Sequence, residues 1–516
     1  MVETELKFQV EPARRDAVRR AVAGSGASPQ TIRLQARYFD TPDGRLAAAG
    51  LALRLRREGR SRWVQTLKGR GDGLMQRLEH ELVLPAAVPA TLDLARHDGT
   101  PAGAALRAAL GRHAAELVER FATDIRRTRR VVRARSGSGQ MASVELAFDE
   151  GWIGAARSDG DGDGDGDGDG DGGRVRLAVA EVEFELLSGP PQALLALASR
   201  WVQSHGLWLD VRSKAERGHA LATGVAPAAA LAQQPPISRR MAPARALAAM
   251  VQAALAQVLP NLAALADARP AGPEHLHQLR VGLRRLRTAL REFGDGVEGV
   301  DAAWQIALAK VFSALGALRD REVVERTLAE PRAVAQRAGL DSAPATPRPT
   351  AVLTAQDTAL VRERGLHRLL LALIGLTLAG ESPDSGIALI EVARKRLTRL
   401  HRRVTADAKR FGALDDAARH GLRKRMKRLR YSLEFVAPLF AAKAVARYLA
   451  LLKPAQEALG NYNDVLVAQA SCLAAGTHSA GEAFVLGWLS ARRDALAAST
   501  AARLEALSAA ARFWKP

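Results

Sequence analysis

Over the first 220 residues, charged side chains recur at every second position in one short segment after another, and only an extended backbone puts such residues on a common face. Glu3, Glu5 and Lys7 share one face of the opening segment, while Thr4, Leu6 and Phe8 share the other. Arg54 and Arg56 oppose Leu51, Leu53 and Leu55, and Arg77, Glu79 and Glu81 oppose Leu78, Leu82 and Leu84. Lys68 closes RWVQTLK in the same fashion, and Arg127 alternates with Arg129 in DIRRTRRVV. Glu145 and Asp149 stand against Val144, Leu146 and Phe148, and Glu181, Glu183 and Glu185 against Val182, Phe184 and Leu186. One such strand is a wetted sheet face. A whole set, mixing acids with bases and backed by apolar faces, predicts a closed antiparallel barrel with a charged lumen and helices packed outside.

Bare buried charge is too costly to leave in such a lumen, so it must be wet or filled by compensating ions. Arg54, Arg56, Lys68, Arg127 and Arg129 suit an anion of several charges, because guanidinium groups grip phosphate oxygens in pairs. The clustered carboxylates would repel that anion unless they held hard divalent cations, for which Mg2+ or Mn2+ with oxygen ligands is expected. Metal, phosphate chain and basic clamp together make a site for cleaving phosphoanhydrides.

Turn signals such as TPDG and RGDG separate the strands, and PARRDAVRRAVAG reads as a helix with Pro12 in its first turn and Gly24 after its end. The segment 158–173 alternates seven Asp with Gly and has no Glu at calcium-loop spacing, which predicts a flexible acidic loop tip. A Pro/Ala/Gln stretch beginning at 226 reads as a linker. Beyond it, apolar residues recur at helical spacing to the C-terminus. The expected class is α+β: a barrel domain over 1–225, a linker over 226–243 and a helical domain over 244–516, with a long Pro-rich loop near 342–352.

The helical part repeats itself. HQLRVGLRRLRTAL at 277–290 matches HGLRKRMKRLRYSL at 420–433, which equates His277 with His420, Arg280 with Arg423, Arg284 with Lys427, Arg285 with Arg428 and Arg287 with Arg430. LGALRD at 315–320 and LGNYND at 459–464 follow at nearly equal distance, so two similar helical bundles are expected. On a helix His277, Arg280, Arg284 and Arg287 stack on one face. Residues 391–430 hold 15 Lys and Arg against 4 Asp and Glu, too few acids for ion-pair networks, so an external polyanion is the expected partner. Neither His277 nor His420 has a second metal ligand at suitable spacing, and both are read as phosphate-contacting or packing residues.

These residues carry a resemblance. Glu3-Thr4-Glu5-Leu6-Lys7 resembles the ExExK motif of the CYTH superfamily, the triphosphate tunnel metalloenzymes, and YFDTPD, LRLR, TLK, RLEHEL, the Glu181–Glu185 strand and SKAERG follow in order. The resemblance implies an eight-stranded tunnel that binds an inorganic or organic triphosphate with Mg2+ or Mn2+. It implies Glu3, Glu5, Glu181 and Glu183 as metal ligands; Arg54, Arg56, Lys68, Arg127 and Arg129 as the phosphate clamp; Lys7 and Lys214 as further tunnel lysines. Glu79, Glu81, Glu145, Asp149 and Glu185 remain as additional tunnel acids. HxxRVxxRRLR is similar to the CHAD domain, a duplicated helical family associated with inorganic polyphosphate, and this implies polyphosphate binding through the repeated basic residues.

The net charge of +20 points to polyanions without choosing among them. Inorganic triphosphate is the expected substrate, since Trp63, Tyr38 and Phe39 are the only aromatics near the tunnel motifs to stack a base or thiazolium. Thiamine or nucleoside triphosphate, or a non-catalytic polyphosphate scaffold, are the alternatives. Nucleic acid is disfavoured because the basic helices lack interleaved aromatics. The charged opening leaves no room for a secretory leader, and the apolar run at 369–379 is too short to span a bilayer, so no membrane partner is expected. A single cysteine, Cys472, fits a reducing cytoplasm, where the basic helices would favour association with polyphosphate granules.

Overall fold

The computed structural model describes residues 2–24, 29–71, 73–85, 90–156, 174–267, 271–341, 355–378, 387–476 and 479–515. The Asp-Gly repeat and the Pro-rich stretch near 342–352 lie outside these residues. The chain divides into two compact units: Met1–Ala229 with Leu262–Asp267 and Val361–Leu378, and Ala230–Asn261 with Ala268–Leu360 and Ala379–Pro516.

The first unit holds a closed antiparallel barrel. Its strands are β1 (Val2–Gln9), β2 (Gln30–Asp40), β3 (Leu51–Glu58), β4 (Arg62–Arg70), β5 (Gln76–Val83), β6 (Val118–Arg135), β7 (Met141–Ala156) and β8 (Arg174–Ser188). They neighbour one another in the order β5-β4-β3-β2-β6-β7-β8-β1, and β1 pairs back onto β5 to close the ring. A two-residue β9 (Trp208–Leu209) also pairs with β1. Around the ring lie α1 (Arg15–Ala23), α2 (Arg45–Ala48), α3 (Pro101–Leu110), α4 (Pro191–His205) and α5 (Lys214–Thr223).

Local chemistry sets the ends of these elements. The buried Asp40 carboxylate accepts the backbone N–H groups of Thr41 (2.7 Å), Leu46 (2.8 Å) and Ala47 (3.0 Å), so YFDTPD is the turn that seats α2. Gly24 ends α1 at φ +66°, a conformation open to glycine. Ser213 and Glu216 form a capping box at the start of α5.

The apolar half of each alternation packs outside the ring, as the sequence predicts. Phe184 meets Phe8 edge-on at 5.3 Å and Trp201 of α4 at 5.7 Å. Leu106 and Leu110 of α3 cover Leu51, Leu53 and Leu67. Each such side chain contributes about 1.5–3 kcal/mol by leaving water.

One part of the lumen departs from the expectation of charge throughout. By register, Leu34, Ala36, Tyr38, Phe121, Ile125, Ile153 and Val179 share the inward face of Arg54, Arg127 and Glu181, and they form one apolar cluster. Ala215, Leu221 and Ala222 of α5 pack against it. Gly218 lets α5 approach so closely that an added Cβ would lie 2.3 Å from the Phe121 ring. Helix α5 therefore seals one end of the barrel.

Downstream elements are α6 (Pro243–Ala266), α7 (Pro273–Phe293), α8 (Ala302–Arg337), α9 (Ala355–Val361), α10 (Arg364–Thr377), α11 (Leu389–Ala408), α12 (Asp416–Val436), α13 (Ala442–Ala475) and α14 (Ala480–Ser508). Helix α10 takes up most of the apolar run at 369–379 and belongs to the first unit. It packs on α4, and its buried His367 accepts the Leu209 N–H through Nδ1 at 3.1 Å. In the second unit α7 packs on α8 and on α12, which itself packs on α13, so the repeated motifs occupy matching helix pairs.

Helix α6 is long and apolar enough to cross a bilayer by length and composition, although 72% of its apolar window is buried. Gln252, Gln257 and Asn261 interrupt its apolar runs. Cys472 packs beside a core cluster of Leu328, Val465, Val485 and Leu489, and burial pushes its thiol pKa up.

Candidate active site

Strand register gathers the inward charges into one chamber. Glu5 lies opposite Glu185, and Lys7 opposite Glu183. Lys68 lies opposite Glu79, Arg127 opposite Asp149, and Asp149 opposite Glu181. Every tunnel residue singled out in the sequence stands on this face except Lys214, which enters from the first turn of α5.

In one part of the chamber the bases dominate. Lys214 Nζ lies 2.5 Å from Glu181, 2.6 Å from Asp149 and 3.0 Å from Glu183. Burial opposes its charge, yet the three carboxylates hold its pKa above the ordinary value. Arg127 grips Asp149 with two bonds of 2.7 Å and also reaches Glu183, which Lys7 approaches at 3.8 Å. Arg217, one helical turn beyond Lys214, pairs with Glu181. Arg56 contacts Glu58 at 2.5 Å and Glu81 at 3.2 Å, but burial and the neighbouring Arg54 hold its pKa below the usual range. The Nε groups of Arg54 and Arg56 are buried without a hydrogen-bond partner among the described residues. Arg56 is thus the cation here whose charge is disfavoured, whereas the Tyr38 phenol, Glu79 and Glu81 favour that of Arg54 against burial; both arginines keep an unsatisfied donor.

Elsewhere the imbalance has the other sign. Lys68 serves both Glu3 (3.1 Å) and Glu79 (2.6 Å), and Arg77 meets Glu5 at 3.4 Å. Burial and the Glu79 carboxylate push the Glu3 pKa up to about 8 against the pull of Lys68, while Glu79, bonded to Glu3, is held low. Glu185 is raised as well, by burial and by Glu145. Arg129 stands at the rim, 45% exposed, 3.4 Å from Glu145.

Among the described residues, three of the inward carboxylates gather as a group, two of them (Glu181 and Glu183) from the expected metal set. Asp149, Glu181 and Glu183 each place an oxygen within 4.8 Å of the others, a grouping that could hold a metal ion. Glu3 and Glu5 stand apart from that group, with Glu79 and Arg77 as their neighbours. Sequence spacing fixes the face of each acid but not its height in the ring, which depends on strand stagger. Arg217 was missed; its position three residues after Lys214 on a helix was the available signal. Of the aromatics considered for stacking, Tyr38 alone faces inward, and its ring already stacks on Phe121 at 4.6 Å.

In the second unit, Arg280, Arg284, Arg423 and Lys427 converge. Arg280 donates to the carbonyls of Leu315 (2.9 Å) and Gly316 (3.1 Å), and Arg423 pairs with Asp464 at 3.5 Å. The shared LG elements thus serve matching arginines: a Cβ on Gly316 would lie 4.0 Å from Arg280, and one on Gly460 3.9 Å from Arg423. Arg280, Arg284 and Arg287 all lie over the Phe312 ring, at 5.1, 4.8 and 5.7 Å. Burial, then Arg284 and Arg423, push the Lys427 pKa down to about 6.

The remaining repeat residues disperse. Arg285 is 3% exposed, bonded to Gln257 and the Gln233 carbonyl and stacked on Phe435, so it is a core residue with no face to offer a polyanion. Its position one residue past Arg284 turns it about 100° around the helix. Arg428 lines a separate cleft of about 480 Å³ with Arg291, Arg403, Lys424 and Arg425. Arg430 pairs with Glu434 at 2.7 Å, His420 bonds Asn463 at 2.9 Å, and His277 is half-buried on α7.

Glu3→Gln tests the charge balance. The folded chain holds the Glu3 pKa near 8, above its ordinary value of 4.5, so folding favours the protonated acid and the wild-type chain loses stability as pH rises between those values. Glutamine escapes that loss. The variant is expected to melt no lower than wild type at pH 5 and a few degrees higher at pH 8.5, as followed by circular dichroism.

Two family models match this chain, the CYTH domain over residues 1–219 and the CHAD domain over residues 249–473. Among solved structures, the CHAD domain of the plant Ricinus communis is 28% identical, with 56% of this chain and 99% of that one covered and a TM-score of 0.44. A Hippeastrum protein described as an adenylyl cyclase revealing a dominant triphosphatase activity is 18% identical, covering 44% and 97%, with a TM-score of 0.27. The protein PH1819 of Pyrococcus horikoshii is also 18% identical, covering 42% and 97%, with a TM-score of 0.25. The chain therefore joins a CYTH domain, of the triphosphate tunnel enzyme family, to a CHAD domain.

Proposed function

We propose that the barrel hydrolyses inorganic triphosphate with Mg2+ or Mn2+, and that the helical unit binds inorganic polyphosphate. The observation that carries the first part is imbalance of both signs in one chamber: burial and neighbouring acids push Glu3 and Glu185 above their ordinary values, burial and Arg54 push Arg56 below its own, and the Nε groups of Arg54 and Arg56 are buried without a partner among the described residues. A chamber short of cations in one part and of anions in another is matched by a metal and a phosphate chain together.

Glu3, Glu5, Glu79 and Glu185 would hold a hard cation through oxygen, with Asp149, Glu181 and Glu183 as a second group now satisfied by Lys214. When bound, the cation supplies charge neutralisation to the phosphate oxygens. The chain's own groups do the rest. Arg54 and Arg56 offer unpartnered donors to equatorial oxygens, where charge gathers as the phosphoanhydride bond to the leaving phosphate lengthens. Lys68 and Arg127, freed from carboxylates that turn to the metal, would complete the clamp. The sealed end keeps bulk water from one side of the chamber. Tyr38 is already stacked and Trp63 and Phe39 face outward, which favours an inorganic chain over a nucleoside or thiamine group.

The same reasoning separates an enzyme from a scaffold, because a site that only stores a polyanion gains nothing from so many inward carboxylates (Glu3, Glu5, Glu79, Glu81, Glu145, Asp149, Glu181, Glu183 and Glu185). We place the protein in the cytoplasm, near polyphosphate, on the strength of its basic helices.

Phosphate release should be measured with tripolyphosphate, ATP, thiamine triphosphate and pyrophosphate, each with Mg2+ and with Mn2+. Tripolyphosphate is expected to turn over fastest, and Glu3→Gln with Glu5→Gln to lower the rate at least ~100-fold without unfolding the chain, a loss on the scale of removing preorganised charge. Near-normal turnover in that variant contradicts the reading.

For the helical unit, replacing Arg280, Arg284, Arg423 and Lys427 by Ala in the full chain is expected to weaken long-chain polyphosphate binding and to flatten its log–log salt dependence by roughly 0.7 per lost contact, the single-strand value. Tripolyphosphate hydrolysis should hold. Unchanged affinity, or tighter binding to duplex DNA at equal ionic strength, contradicts it.

A further inference from the structure

Tyr38 is an inward polar residue to which the tunnel chemistry above assigns no task. It stands on β2 directly opposite Arg54 on β3, and its phenol oxygen accepts a hydrogen bond from Arg54 Nη1 at 3.3 Å. Among the described residues that phenol is the hydrogen-bond partner of the Arg54 guanidinium, whose Nε has none. Arg56, Lys68, Arg127 and Lys214 differ, each held by at least two carboxylates. The ring is fixed from behind. It stacks on Phe121 at 16° between planes, Phe121 is backed by Gly218 of α5, and Tyr38 is 5% exposed within the apolar cluster.

We propose that Tyr38 is a positioning residue for the phosphate chain: its phenol aims the Arg54 guanidinium into the chamber, and its rigid ring, stacked on Phe121, is the floor at which the chain stops. This rests on the reading of the chamber as a triphosphate site.

The bland alternative is a buried hydroxyl that has found a partner. Three features favour the positioning role. The partner is a cation on the ligand face, not a backbone carbonyl. Arginine has several rotatable bonds and roughly 2 kcal/mol of rotamer entropy. Glu79 and Glu81 attract the Arg54 guanidinium, but among the described residues the phenol is the group that hydrogen-bonds it and fixes its direction. The phenol sits where the chamber changes from charged to apolar, so it fixes depth as well as direction. Although burial alone would raise the phenol's pKa, Arg54, together with Lys214 and Arg56, outweighs that and lowers it, which marks the oxygen as a good acceptor for this donor. Accepting from Arg54 leaves the phenol's own proton free to meet a terminal phosphate oxygen.

Tyr38→Phe keeps the ring, its stacking and its volume and removes only the oxygen. The full chain should be compared as wild type, Tyr38→Phe, Arg54→Lys and the double variant. Calorimetry reads binding of a non-hydrolysable tripolyphosphate analogue with Mn2+, and steady-state hydrolysis and thermal melting are followed alongside. Tyr38→Phe is expected to weaken binding and raise KM about ten- to a hundredfold, the effect of one hydrogen bond to a charged group, with kcat and the melting midpoint nearly unchanged. In the Arg54→Lys background the same change is expected to add nothing, because the group through which Tyr38 acts is gone. Equal losses in both backgrounds, or a fall in melting temperature that tracks the loss of binding, overturn the proposal in favour of a structural role. Unchanged binding by Tyr38→Phe beside a wild type that binds overturns it alone. A wild type that binds no analogue overturns the triphosphate reading and this inference with it.

Discussion

The pairing of β1 with β5 governs the first unit, because it turns a sheet into a ring. An open sheet could leave its charged face to bulk water; a ring encloses it. Once enclosed, each charge needs a partner nearby, and the chain supplies partners from itself: Arg127 with Asp149, Lys214 with Asp149, Glu181 and Glu183, and Lys68 with Glu3 and Glu79. The compensation is incomplete. Burial and Glu79 push the Glu3 pKa up, and Arg54 and Arg56 leave N–H groups unsatisfied. Residual imbalance of this kind costs stability and is the form in which a fold stores affinity for ions that are not part of the chain. The outer apolar face, with Phe8, Phe184 and Trp201 interlocked, offsets that cost.

Like-charge crowding is handled differently in the second unit. Arg280, Arg284 and Arg287 rest on the Phe312 ring, and Arg280 bonds two carbonyls of α8, so the cations are anchored by groups that do not neutralise them. Lys427 is pressed by burial and by the surrounding arginines to a pKa near 6. Anchoring without neutralisation keeps Arg280, Arg284 and Arg287 charged and ordered, and on the reading proposed above leaves them little entropy to lose when a polyanion arrives, while Lys427 would regain its proton beside that anion.

Much of this was legible in sequence because strand period and helix period are local. The inward placement of Glu3, Glu5, Lys7, Arg54, Arg56 and Lys68 follows from counting by two, and the shared face of Arg280 and Arg284 from counting by three and four. What depends on three-dimensional closure was not legible. Strand stagger decides that Asp149 joins Glu181 and Glu183 while Glu3 and Glu5 do not. The inward face of β2 carries Leu34, Ala36 and Tyr38, an apolar pattern that cannot be told from an outward core by alternation alone, so the sealed end went unforeseen. Arg285 looked like its neighbour Arg284, but one helical step turns it into the core. Helix α10 lies about 140 residues beyond the barrel in sequence and still belongs to the first unit, a consequence of its packing on α4 that no local pattern records.

Crystals of the chain soaked with Mn2+ and a non-hydrolysable triphosphate analogue, with anomalous scattering collected at the manganese edge, address the central claim most directly. The account predicts a manganese peak inside the barrel against inward carboxylates drawn from Glu3, Glu5, Glu79, Glu185, Asp149, Glu181 and Glu183, with phosphate density on Arg54 and Arg56 and no density beyond Tyr38. Manganese and analogue found only on the helical unit, or an empty chamber at saturating ligand, would contradict it.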